Sequence, residues 1–105
     1  MDFQQFEKLR NELNQLCEDL LLKKGNDYTD QQDRLYNFRE VAKLLGVSPM
    51  LVWSIYATKH FIAVLNYAKN GTLESEKIEM RLADLRNYVD LAYGLIKSDN
   101  DSQTP

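Results

Sequence analysis

Apolar residues along the chain return at steps of three and four, which is the spacing of one face of an α-helix. In the first segment, about Asp2 to Lys24, the stripe is Phe6, Leu9, Leu13, Leu16 and Leu20. Asp2 is placed to cap its start, Lys23 and Lys24 complement the dipole of its last turn, and Gly25 supplies a stop. The polar run Asn26 to Asp33 reads as a loop, with Asp33 capping a second helix from about Arg34 to Leu45 that carries Leu35, Phe38, Ala42 and Leu45. Gly46 ends that helix. Ser48-Pro49 restarts the chain with a capping hydroxyl and a proline at the first helical position. The third helix, to about Lys69, is apolar on most of its circumference, which predicts a central position or an interface. Asn70-Gly71 ends it. Ser75 caps a fourth helix, in which Ile78, Leu82, Leu85, Val89, Ala92 and Ile96 step four, three, four, three, four. That line is the most regular in the chain and suits a bundle or an interhelical seam. From Ser98 onward no apolar residue remains.

These elements predict an all-α, compact, four-helix bundle-like single domain over residues 1–97, followed by a disordered polar tail over 98–105. A chain of 105 residues buries only about two-thirds of its unfolded surface. Its apolar helical surface exceeds what one such chain buries comfortably, so self-association is expected.

Composition narrows the function. The apolar share of 44% and charged share of 28% are those of an ordinary globular domain. A net charge of −3, with signs interspersed, argues against a basic grip on nucleic acid but leaves room for a small phosphorylated ligand. The lone Cys17 lies on an apolar line and reads as a small buried hydrophobe. No run approaches the length of a membrane span, and Met1 to Gln5 lack the pattern of a secretory leader, so the expected compartment is the cytoplasm, without membrane contact. One histidine and one cysteine are too few for a zinc enzyme of the usual kind, and no glycine-rich phosphate loop follows a strand.

Three groups of residues carry candidate chemistry. Lys59 and His60 interrupt the apolar third helix, and either face an anionic ligand or sit as a snorkelling lysine beside a hydrogen-bonded histidine. Arg81, Asp84, Asn87 and Tyr88 lie three or four apart on the fourth helix, so they either order a ligand or pair within the helix. Lys24, Asp27 and Tyr28, followed by Arg34 and Asn37, surround the first connection, which is either a binding loop or a solvated turn. Glu76-x-x-Glu79 puts two carboxylates on one face. They suit magnesium if other oxygens join them, and equally the positive end of a helix.

The string Lys24-x-x-Asp27-Tyr28, Arg34-x-x-Asn37-Phe38-x-x-x-Ala42, Tyr56-x-x-Lys59-His60, Glu74-Ser75 and Arg81-x-x-Asp84-x-x-Asn87-Tyr88 resembles small phage and prophage proteins similar to the nucleotide-modification-associated helical domains. The likeness runs from about Leu20 to Leu95. It implies a phage setting (hence a host cytoplasm), a link to nucleotides, and one pocket joining the three groups, with Tyr56 among its residues. A more distant resemblance is to the all-α nucleoside triphosphate pyrophosphohydrolases, which hold magnesium through two acidic pairs. Here Glu76-x-x-Glu79 matches one pair, whereas Arg81-x-x-Asp84 and Asn87-x-x-Asp90 each replace an acid. The functions expected are, in order, binding of a nucleotide or other small phosphorylated ligand, such as a defence signal to be sequestered, then a protein-interaction module or inhibitor of a host enzyme, then a nucleotide phosphohydrolase. No cofactor is expected outside that last case, where Mg2+ would be needed.

Overall fold

A computed structural model describes the backbone of residues 1–28, 35–73 and 76–103, and the side chains of 1–23, 35–73 and 76–98. Four helices occupy these residues in the order α1 (Phe3–Tyr28), α2 (Tyr36–Leu45), α3 (Pro49–Asn70) and α4 (Ile78–Gln103), with no strand among them. The fold is all-α, as the periodicity predicts.

The helix ends follow local chemistry. Asp2 Oδ1 accepts from the Gln5 amide at 2.8 Å while Gln5 Oε1 accepts from the Asp2 amide at 2.8 Å. This reciprocal capping box opens α1. Ser48 Oγ accepts from the Leu51 amide at 3.1 Å, with Pro49 in the first turn of α3. Gly46 and Gly71 end α2 and α3 in the left-handed region, at φ 69° and 76°, where a side chain would be strained.

Three boundaries differ from expectation. Gly25 does not stop α1, whose backbone stays helical to Tyr28. One glycine costs an established helix only about 1 kcal/mol. Helix α2 begins at Tyr36 with Leu35 at its N-cap, while the expected caps Asp33 and Ser75 lie outside the described residues, as do Arg34 and Glu74. The polar segment after Lys97 does not depart from the helix either, since α4 runs to Gln103. Ser98 ties this end down. Its hydroxyl donates to the Gly94 carbonyl at 2.8 Å and lies 2.6 Å from Arg39 Nη2 of α2, from which it accepts.

Helix α4 is the centre of the fold. It packs against both α1 and α3, while α2 packs against α3. Asn14 meets Arg86 and Cys17 meets Ala83, so α1 and α4 run antiparallel. Trp53 meets Tyr88 and His60 meets Arg81, so α3 and α4 are antiparallel too. Between α2 and α3 the chain bends by 111°. Two apolar clusters result. Cys17, Leu20 and Ala83 fill one, and Phe38, Ala42, Val52 and Leu95 fill the other. Among the described residues no single helix is long and apolar enough to cross a membrane.

The regular line of α4 is not part of this core. Leu82, Val89 and Ile96 are 40%, 63% and 46% exposed, whereas Ala83 and Leu95 are fully buried. The helix turns a mixed face inward and its apolar seam outward. Helix α3 likewise exposes about half of Leu51, Ile55, Ile62 and Leu65.

Candidate functional site

Between the two apolar clusters, α4 carries a polar stratum. Asp84 and Asn87 are buried there, at 3% and 6% exposure. A buried carboxylate is costly unless charged or hydrogen-bonding groups surround it, and the chain places such groups on two helices. His60 of α3 sits with Nδ1 3.7 Å from Asp84 Oδ2, too long for a hydrogen bond. Arg81 Nη1, one turn before Asp84 on α4, lies 3.1 Å from the same His60 nitrogen. Since guanidinium only donates, Nδ1 is the acceptor in that contact.

The far side of Arg81 is held by Glu76, whose Oε1 is 3.2 Å from Arg81 Nε. Two acids thus bracket one guanidinium and one imidazole. This fixes their orientation, and it follows from the antiparallel packing of α3 on α4, which brings position 60 level with positions 81 and 84. Aromatic rings complete the site. The Tyr88 ring lies 4.9 Å from His60 and 6.2 Å, edge-on, from Phe38, and Phe38 lies 5.9 Å from Tyr56. Trp53 Nε1 donates to the Tyr88 carbonyl at 2.6 Å and pins that turn of α4. Lys59 is exposed, with Nζ 6.0 Å from the centre of the Tyr56 ring.

The residues marked in the sequence therefore divide. His60, Arg81, Asp84, Tyr88 and Tyr56 come together, with Lys59 at the edge. Asn87 faces the other way, because its Nδ2 donates to the Cys17 carbonyl of α1 at 2.9 Å. It joins helices and does not reach the His60 cluster. Asn37 is half-buried on α2. The backbone at Lys24, Asp27 and Tyr28 is helical, so these residues end α1 and do not form a loop; their side chains lie outside the described residues.

Glu76 is the partner that the sequence conceals. It stands five positions before Arg81 and outside α4, so helical spacing does not relate the two. Its contact with Arg81 gives it a partner other than Glu79, which is exposed. Among the described residues no three His, Cys, Asp or Glu side chains converge as metal ligands.

Burial pushes the Cys17 thiol above its ordinary value of 9.0, with Asp90, Asp84 and Glu18 adding to the effect and Arg86 opposing it. Its Sγ lies 3.7 Å from the Ala83 carbonyl. A thiol kept protonated in this way is a packing group and a poor nucleophile.

Comparison with known proteins supplies no relative: no family model, curated protein or solved structure matches the chain.

Proposed function

We propose that this protein binds a small phosphorylated ligand, with a nucleotide as the best-fitting class, at the surface where α3 packs on α4. The observation that carries the reading is the meeting of His60 and Arg81, 3.1 Å apart on different helices, over the buried carboxylate of Asp84. Glu76 and Asp84 hold the two donors in place, so little side-chain entropy is lost when an anion arrives. Arg81 and His60 keep 21% and 14% of their side chains exposed, which leaves an edge for phosphate oxygens to approach. Lys59 supplies a mobile cation beside it. The Tyr56 and Tyr88 rings offer faces and edges against which a base can rest. Asp84 itself is too deeply buried to meet the ligand and acts through His60 and Arg81. On this reading the protein captures its ligand without chemical change, as a phage protein sequestering a signalling nucleotide would.

The test is a thermal-shift and calorimetric screen against mononucleotides and cyclic dinucleotides, with and without magnesium. A ligand present at a hundredfold excess over its Kd adds about 2.7 kcal/mol of stability. Lys59→Ala, at an exposed position, should weaken that ligand several-fold and leave the unliganded melting temperature unchanged. If no nucleotide stabilises the chain, the reading fails. Release of phosphate or pyrophosphate from a bound nucleotide would instead make the site catalytic.

A further inference from the structure

The outward seam of α4 is a heptad line that its own chain covers only in part: Ile78, Leu85 and Ala92 are half-buried, and Leu82, Val89 and Ile96 are exposed. Leu82, Val89 and Ile96 occupy one set of core-type positions and Ile78, Leu85 and Ala92 the other, at the alternating steps of four and three that let two helices interlock. In an ordinary bundle such a line faces inward. Here Ala83, Asn87 and Leu95 are buried in its place, and Val89 stands 63% exposed.

Surface area points the same way. A compact single chain of 12.3 kDa exposes about 6,100 Å². This one exposes 7829 Å², an excess of about 1,700 Å² over that expectation. Permanent two-chain interfaces bury about 1,000 Å² or more from each chain, and the chain has surface to spare for one. The radius of gyration, 15.8 Å, also exceeds the value of about 13 Å for a compact chain of this length.

We infer that a second copy of this chain packs on the outer seam of α4, in an antiparallel two-fold pairing centred near Leu82 and Leu85. Charge selects the orientation. Glu79 and Arg86 occupy successive positions on one flank of the seam, and an antiparallel two-fold arrangement brings Glu79 of each copy nearest to Arg86 of the other. A parallel arrangement does not place these two flanks together, because it pairs opposite sides of the seam. The exposed line on α3 is the weaker surface. It is interrupted by Thr58, whose hydroxyl turns back to the Ser54 carbonyl at 2.6 Å. The pairing does not rest on the ligand reading, since none of its seam residues belongs to that site, although Arg81 and Tyr88 stand on the second flank of the seam.

Sedimentation equilibrium on the full chain tests the inference. Wild type should sediment at twice the chain mass at micromolar concentration. Val89→Glu, at the most exposed seam position, and the double variant Leu82→Glu with Val89→Glu should sediment as single chains while circular dichroism still reports the full helical content. Glu79→Arg should weaken the dimer at least tenfold, and adding Arg86→Glu should restore it. A wild type that stays a single chain at high micromolar concentration overturns the pairing. So does a dimer that survives the seam variants and is broken instead by Ile55→Glu with Ile62→Glu on α3. Failure of Arg86→Glu to rescue Glu79→Arg overturns the antiparallel orientation.

Discussion

The face of α4 that carries Ala83, Asn87 and Leu95 is buried, although it includes an amide and is flanked by the carboxylate of Asp84. The face that carries Leu82, Val89 and Ile96 is exposed by 40–63%, although it is apolar at every heptad position. The two faces belong to one helix, so propensity does not separate them. What separates them is fit to the neighbours that this chain supplies. Ala83 has no bulk beyond Cβ and lets α1 approach closely enough for Cys17 and Leu20 to close around it. Asn87 meets a carbonyl on α1, and Asp84 lies 3.7 Å from the imidazole of His60 on α3. A polar face that is fully matched packs within the chain, and the uniform face is left for something else. Regular apolar spacing therefore identifies a helix that will be covered, without saying by which chain.

The comparison breaks first at Asp84. Its carboxylate makes the inner face tolerable because polar groups, His60 among them, stand beside it. Removing one member of a buried charged set strands the others, at a cost of about 3–5 kcal/mol. Asp84→Ala should therefore lower the urea-unfolding free energy by about that amount. A loss below about 1 kcal/mol would mean that the stratum is not held together by its charges and that packing alone orients the inner face.

A matched pair of truncations separates the faces directly. Leu95 is fully buried against Phe38, Ala42 and Val52, so Leu95→Ala should cost about 2–5 kcal/mol. Val89→Ala, six residues earlier on the outer face, should change the stability of the single chain by less than about 0.5 kcal/mol. Both values come from denaturant melts at submicromolar concentration, where the single chain is observed. Equal costs would show that the outer seam is packed within the chain after all.

Much of the architecture was legible because it rests on local rules. The Asp2 cap, the Ser48-Pro49 start and the αL ends at Gly46 and Gly71 each depend on a few adjacent residues. Gly25 and the residues after Lys97 stay helical for one reason: once a helix is nucleated, extending it through weak formers costs little, and Ser98 adds a tertiary tie to Arg39. The site was legible in part. Lys59-His60 and Arg81-x-x-Asp84 stood out as polar residues near apolar lines, but their convergence depends on the register of α3 against α4, which no short spacing encodes. Glu76 was hidden because it acts from outside the helix, and Asn87 turns to the Cys17 carbonyl of α1, a choice between neighbours that helical spacing does not encode.

The smallest effect concerns Cys17, which reports on the inner face from the side of α1. Its thiol is raised above 9.0 chiefly because burial disfavours the thiolate. The folded chain then holds this proton more firmly than the unfolded chain does. Below pH 9.0 both states carry the proton and the contribution to stability is complete. Above it the unfolded thiol ionises first, so stability falls as pH rises, until the folded thiol ionises as well. Wild type should therefore lose stability between pH 9 and pH 10.5 more steeply than Cys17→Ala, which lacks the titrating group. The comparison is made on the slope of urea midpoint against pH, so the cavity left by the substitution does not enter. Parallel slopes would mean that water reaches the thiol at the Ala83 contact, and that the inner face of α4 is less closed against α1 than the 7% exposure of Cys17 indicates.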